Sequence, residues 1–291
     1  MPERKVTPAD WLTPQGRWSH LKSLLGEGWD FRLRECSIYR NADQSPVRQI
    51  PTPSAIKFEG DVQSVKNFGR CSWEAPHERL FMLHSEVSAD VIRYWPQPVE
   101  IRMSWVAKSD GVKTEKSATY FPDLERLMAD GSRQVVETKT GYSDVVRDLA
   151  YVEKLVVAHA VLDKFGHELL LVSAEEDLAE RNVNKSINLV YLDRFALLST
   201  TDKLLLANHM AGKKDLRSTY AEVCRAFSTF HEPYKVHAAF VRRIIAYDSS
   251  KPLLPESVVW VPSPSRKELP RPNSLQPSMH AAEPTQGFGS W

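Results

Sequence analysis

The sequence predicts an α/β protein, a mixed sheet flanked by helices, with a small helical region after it. Three observations predict this. Apolar residues recur at helical spacing in two blocks, Leu80 to Val87 and Val146 to Val156. Runs such as "VEIRMSWVA", "QVVETK" and "HELLLVSAEE" alternate or stay apolar, as half-buried and buried strands do. Beyond about Leu178 such runs stop, and Gly, Ser/Thr and Pro punctuate four helical segments.

Taken in order, residues 1–46 form an irregular N-terminal segment, because Pro, Gly, Ser and Arg interrupt every apolar cluster. "SWEAPHERLFMLHSEVSADV" offers Ser72 as a cap and Pro76 in the first turn, which predicts a helix of three to four turns. Beyond Pro98 a strand follows, "DGVKTEK" supplies a hairpin turn, "SATYFPDLERLMA" a second strand, and "QVVETK" a third. "SDVVRDLAYVEKLVVAHAVLDKFG" predicts a helix ended by Gly166, and "HELLLVSAEE" a buried strand. Helix, three-strand meander, helix and strand place a mixed-sheet domain over residues 47–177. Four helices and two short extended pieces in "SSKPLLPESVVWVP" give residues 178–261 the outline of an otherwise all-helical winged helix. Residues 262–291, with six prolines, read as a disordered tail.

Length and composition, 291 residues with 42% apolar and 26% charged, fit a globular chain with a sizeable core. The net charge of +1 conceals an asymmetry: residues 181–251 hold 12 basic and 6 acidic side chains, whereas residues 1–180 sum to −5. That points to an anion-seeking C-terminal region. Cys36, Cys71 and Cys224 fit neither a disulfide framework nor a zinc spacing. With no signal-like N-terminal run and no apolar stretch near 18 residues, the expected location is cytoplasmic, without a membrane role.

The chemistry concentrates in "YFPDLERLMADGSRQVVETK". Neighbouring antiparallel strands bring Asp123 and Glu137 to one end of a sheet, and Glu137 and Lys139, two apart, leave the same face. The backbone carbonyl of Thr138 lies between them. Two carboxylates and a carbonyl make a hard oxygen set suited to Mg²⁺ or Mn²⁺. A nearby ammonium orients an attacking water or neutralises charge growing on phosphorus. Glu78, on the helix before the meander, is positioned to join the same site, with Glu74 as its competitor. Gly-rich phosphate loops, GxSxG and HExxH spacings are absent from the sequence.

These stretches, with the Trp95, Gln97, Pro98 step between them, resemble the PD-(D/E)XK nuclease core of TnsA-like proteins, the endonuclease subunits of heteromeric transposases. The likeness spans about Val47 to Glu176, and the helical region is similar to that family's winged-helix domain. It departs from the family where "EAPHE" replaces the usual Glu-Ser ahead of the helix Glu, and residues 1–40 resemble nothing placed. The resemblance implies a restriction-endonuclease-like fold, with Glu78, Asp123 and Glu137 as acidic metal-site residues and Lys139 as the catalytic lysine. It also implies double-stranded DNA as substrate, a DDE-type transposase subunit and an AAA+ ATPase regulator as partners, and a bacterial, nucleoid-associated setting. The rival readings are a standalone nuclease of the same fold in phage defence or repair, and a non-catalytic DNA-binding assembly factor.

For DNA contact, "YKVHAAFVRRIIAYD" places Lys235, Arg242 and Arg243 around an apolar stripe, as on a recognition helix or on a core helix with a charged outer face. Lys213, Lys214 and Arg217 are a second basic group able to meet phosphate.

Overall fold

The computed structural model describes residues 14–48, 58–227 and 233–263. Its first elements are a helix, α1 (Pro14–Leu24), and a ten-residue strand, β1 (Asp30–Tyr39). The described part of the stretch expected to be irregular, residues 14–46, thus holds two regular elements. Its order comes from packing rather than local pattern: Trp18, Leu21, Trp29 and Ile38 are buried in one core with Val152, Leu155 and Val161. A short hairpin, β2 (Gly60–Ser64) and β3 (Gly69–Trp73), follows. Ser72, expected as a helix cap, belongs to this hairpin, where its hydroxyl donates to Asp61 at 2.7 Å. Helix α2 (Pro76–Val87) starts with Pro76 in its first turn and Ala75 as the cap.

Next come β4 (Val91–Pro96), β5 (Glu100–Ser109), β6 (Val112–Tyr120), β7 (Leu124–Met128) and β8 (Arg133–Lys139). Five strands stand where three were expected, and two prolines explain the difference. Pro98 and Pro122 have no N–H to give a ladder, so the chain leaves one sheet and enters another at each. Pro96 is opposite Leu124 in a four-stranded sheet, while Ile101 is opposite Tyr120 in a three-stranded one. At the crossing the Gln97 N–H donates to the Asp123 carbonyl at 2.8 Å, and Gln97 takes a left-handed φ of 43°. "SATYFPDLERLMA" is therefore two strands in two sheets with Asp123 at their junction.

Helix α3 (Tyr142–Val146), helix α4 (Leu149–Lys164), strand β9 (Glu168–Ser173) and the short helix α5 (Ala174–Asp177) complete this part. Asp148 interrupts the expected single helix by capping α4 through the N–H groups of Ala150 and Tyr151. The four-stranded sheet runs β4-β7-β8-β9, with β8 and β9 parallel, and the three-stranded sheet runs β1-β5-β6. The sheet between α2 and α4 buries both faces. Val136 and Val172 face the core holding Phe81 and Leu83 of α2, and Val135 and Leu171 face the core of α4.

The C-terminal part contains α6 (Arg181–Leu192), α7 (Thr200–Ala211), β10 (Arg217–Thr219), α8 (Tyr220–Phe227), α9 (Pro233–Val241), β11 (Ala246–Tyr247) and β12 (Val258–Trp260). It is not all-helical: three short strands form an antiparallel sheet in the order β10-β12-β11. Strands of two or three residues carry no period, which is why β10 and β11 read as helix ends. Val183, Ile187 and Phe240 share the core of α2. Among the described residues no helix is long and apolar enough to cross a membrane. The proline-rich tail from residue 264 onward lies outside the described residues.

Candidate active site

Strand β8 runs Val135, Val136, Glu137, Thr138, Lys139 with four consecutive buried residues before the lysine. Alternation sends Glu137 and Lys139 to the α4 side. The Glu137 carboxylate is 3% exposed and takes three donors there: the Tyr120 hydroxyl at 2.6 Å, the Tyr151 hydroxyl, and the Lys139 ammonium at 2.5 Å. Tyr120 ends β6 and Tyr151 is in the first turn of α4, so strand and helix both fix this acid.

Asp123 reaches the same strand from the β6–β7 junction. Its Oδ2 accepts the Thr138 backbone N–H at 2.7 Å and the Thr138 hydroxyl at 2.8 Å. The β7 ladder on β8 has ended at Leu124 opposite Val136, which leaves the next outward-facing backbone groups of β8 to Asp123. Within a strand residue the N–H and C=O leave by the same edge. The Thr138 carbonyl therefore emerges on the edge where Asp123 sits.

Glu78 comes from the first turn of α2 and is buried. Its carboxylate accepts the backbone N–H of Glu74 at 2.8 Å. Burial, and then the nearby Glu74 and Glu137 charges, hold Glu78 above the ordinary carboxylate range, against the pull of that N–H and of Lys139. Burial first, then Glu137 and Glu78, raise Asp123 well above its usual value, opposed by Lys139 and the Thr138 N–H. For Lys139, burial alone would lower the ammonium, but Glu137, Asp123 and Glu78 outweigh it and the group is raised. The four residues thus form one electrostatic unit, assembled from α2, the β6–β7 junction and β8.

Glu74 is outside α2 and differently employed. It is paired with Arg48 and accepts the Gln97 side-chain amide at 2.8 Å. Gln97 thus ties Asp123 through its backbone and Glu74 through its side chain. His77, next to Glu78, lies 3.3 Å from the Thr140 hydroxyl at the rim. Among the described residues, no three His, Cys, Asp or Glu side chains are gathered as a ready metal-ligand set. As they lie, the carboxylates are engaged by hydroxyl, amide and ammonium donors of the chain itself.

Several of the six basic DNA-contact candidates are committed within the fold. Helix α9 has Val236 to Val241 all buried, which makes it a core helix. Lys235 pairs with Asp202 at 3.1 Å, Arg242 donates to the Ala238 carbonyl at 3.1 Å, and Arg243 donates to the Ala89 carbonyl at 2.5 Å. Lys213 pairs with Glu222 at 3.0 Å. Lys214 and Arg217 are exposed.

Sequence spacing does not single out Tyr120 and Tyr151, because an isolated tyrosine reads as core. The signal was there for Tyr120, which stands three residues before Asp123 at a strand end. Known protein families and curated proteins yield no match to this chain.

Proposed function

We propose that the chain is a Mg²⁺- or Mn²⁺-dependent DNA endonuclease with a PD-(D/E)XK, restriction-endonuclease-like core, cutting strands at transposon ends as the TnsA-like subunit of a heteromeric transposase. One observation carries the reading. Asp123 is bonded to Thr138, the residue between Glu137 and Lys139, while Glu78 faces the same charges from α2. The order α2, β4, β7, β8, α4, β9 with an antiparallel meander and a parallel last strand supports the core assignment. The order α7-β10-α8-α9-β11-β12, with β12 between the other two strands, supports reading residues 178–261 as a winged helix.

The donor set fits a hard divalent cation. Asp123 is bonded to Thr138 between Glu137 and Lys139, and the Thr138 carbonyl leaves by the same edge. Glu78 acts on these groups from α2, so the oxygen donors needed come from adjacent positions. Burial is the main cause that raises Asp123 and Glu78. Glu78, Asp123, Glu137 and the Thr138 carbonyl would hold the ion, which supplies Lewis acidity at the phosphodiester when bound. The remaining roles belong to the chain. Tyr120 and Tyr151 keep Glu137 oriented. Thr138 keeps Asp123 against the strand, and Lys139 is placed to orient an attacking water and offset charge on phosphorus. In the net reaction water oxygen bonds to phosphorus, one P–O ester bond breaks, and the departing oxygen takes a proton.

The test is cleavage of labelled duplex DNA with Mg²⁺ or Mn²⁺, with and without a DDE transposase and an AAA+ ATPase as partners. Wild-type protein is expected to cut and Asp123→Ala to fold but not cut. Equal cutting by both, or none by wild type with its partners, overturns the proposal.

A further inference from the structure

A second lysine stands beside this cluster. Lys154 is one turn after Tyr151 on α4 and half-buried. Its ammonium lies 4.8 Å from the centre of the Tyr151 ring and 5.9 Å from that of Tyr120. Those two rings carry the hydroxyls that bind Glu137. Lys139 lies 5.4 Å from the same Tyr151 ring. Two ammonium groups are thus held around one tyrosine, and they are differently satisfied. Lys139 is paired with Glu137, whereas Lys154 makes no ion pair among the described residues. Its sequence neighbour Glu153 is already used, by Lys116 at 2.6 Å and by the Trp105 indole N–H at 2.9 Å.

Aromatic faces hold a cation in place without neutralising it. A fixed ammonium with its charge uncompensated, next to an acidic cluster that has its own lysine, is suited to a phosphate oxygen. We infer that Lys154 is a phosphate-contact residue, its ammonium holding a backbone phosphate of the DNA strand beside the Glu137–Lys139 pair. The tyrosine rings fix where that charge sits. This inference rests on the nuclease reading for the identity of the polyanion, and the test separates the two.

The experiment compares wild type, Lys154→Gln and Lys154→Arg in duplex DNA binding with Ca²⁺ across a salt series, in cleavage with Mn²⁺, and in Mn²⁺ affinity. Lys154→Gln is expected to weaken binding about tenfold and to flatten the log-affinity against log-salt slope by about one unit. KM should rise with kcat little changed, Mn²⁺ affinity should be unaffected, and Lys154→Arg should restore both slope and KM. An unaltered salt slope in Lys154→Gln, or failure of the arginine to rescue it, overturns the inference. A flattened slope in a wild-type background that never cleaves would instead sink the nuclease reading and leave the phosphate contact standing.

Discussion

Asp123 and Thr138 are joined twice, one carboxylate oxygen accepting both the backbone N–H and the hydroxyl of the threonine. The consequence is positional: an acid at a junction between two sheets is registered against the strand that carries Glu137 and Lys139. Asp123→Ala is expected to fold and lose at least about a hundredfold in metal-dependent nicking, the scale of removing one preorganised polar group. Lys139→Ala should lose activity while retaining Mn²⁺ affinity. Thr138→Val, which keeps the N–H, should lose about 1 kcal/mol of stability and cut more slowly, as read by urea unfolding and single-turnover nicking.

Asp123 and Glu78 are both raised from ordinary values of 3.8 and 4.5, by burial first and by neighbouring carboxylates in support. A raised acid stabilises the fold below its unfolded value, and that contribution is lost as pH climbs through the folded value. Metal-free protein is therefore expected to lose stability as pH rises above the ordinary carboxylate range, and Asp123→Asn should flatten that fall. Mn²⁺ should restore wild type most at the upper end, because bound ligand adds stability by mass action. Thermal melts across pH with and without Mn²⁺ read this out, and a metal shift in Asp123→Asn equal to wild type would contradict it.

Tyr120→Phe removes a buried hydroxyl donating to Glu137 at 2.6 Å while keeping the ring. A charged acceptor losing one donor costs about 1.5–3 kcal/mol. The melting temperature should drop accordingly, and Mn²⁺ affinity should change because Glu137 is less constrained.

Glu125 is fully buried on β7 and bridges Arg40, just past β1, and Arg133 on β8. Glu125→Ala is expected to destabilise by roughly 3 kcal/mol, since it strands two guanidinium groups. Glu78, Asp123, Glu137 and Lys139 are untouched, so any nicking activity per folded molecule should persist. Denaturant melts and active-site titration separate the two.

Lys214→Glu with Arg217→Glu changes two exposed cations and should weaken DNA binding and its salt dependence with little effect on melting. Lys235→Ala and Arg243→Ala break contacts with Asp202 and with the Ala89 carbonyl, so their effect should fall on stability. Melting curves beside salt-dependent binding curves would reverse the assignment if the two sets exchanged behaviour.

Helices α2 and α4 and strands β8 and β9 were legible because each carries a long, regular apolar period of its own. The bent ribbon was not, since Pro122 reads as a blemish in one strand until the partner crossing at Pro98 is seen. Helix α1 and β1 have weak local pattern and gain order from Trp18, Leu21 and Trp29 packing on distant residues of α4. In the candidate site, the acids and lysine stood out by chemical type and spacing. Tyr120 and Tyr151 did not, because they meet Glu137 from 17 and 14 residues away through folds of the chain that spacing does not encode. The buried α9 was ambiguous for a related reason: a core helix and a groove-reading helix share one amphipathic pattern.

The crossing at Gln97 carries a mechanical implication. Asp123 rides on the joint between two sheets, whereas Glu137 and Lys139 ride on the end of β8, past β7 and paired with β9. The β1-β5-β6 layer meets both acids, Asp123 through the chain at that joint and Glu137 through the Tyr120 hydroxyl at the end of β6. A load placed on that layer would be felt by Asp123 and Glu137 together, giving whatever grips that face a lever on the whole cluster.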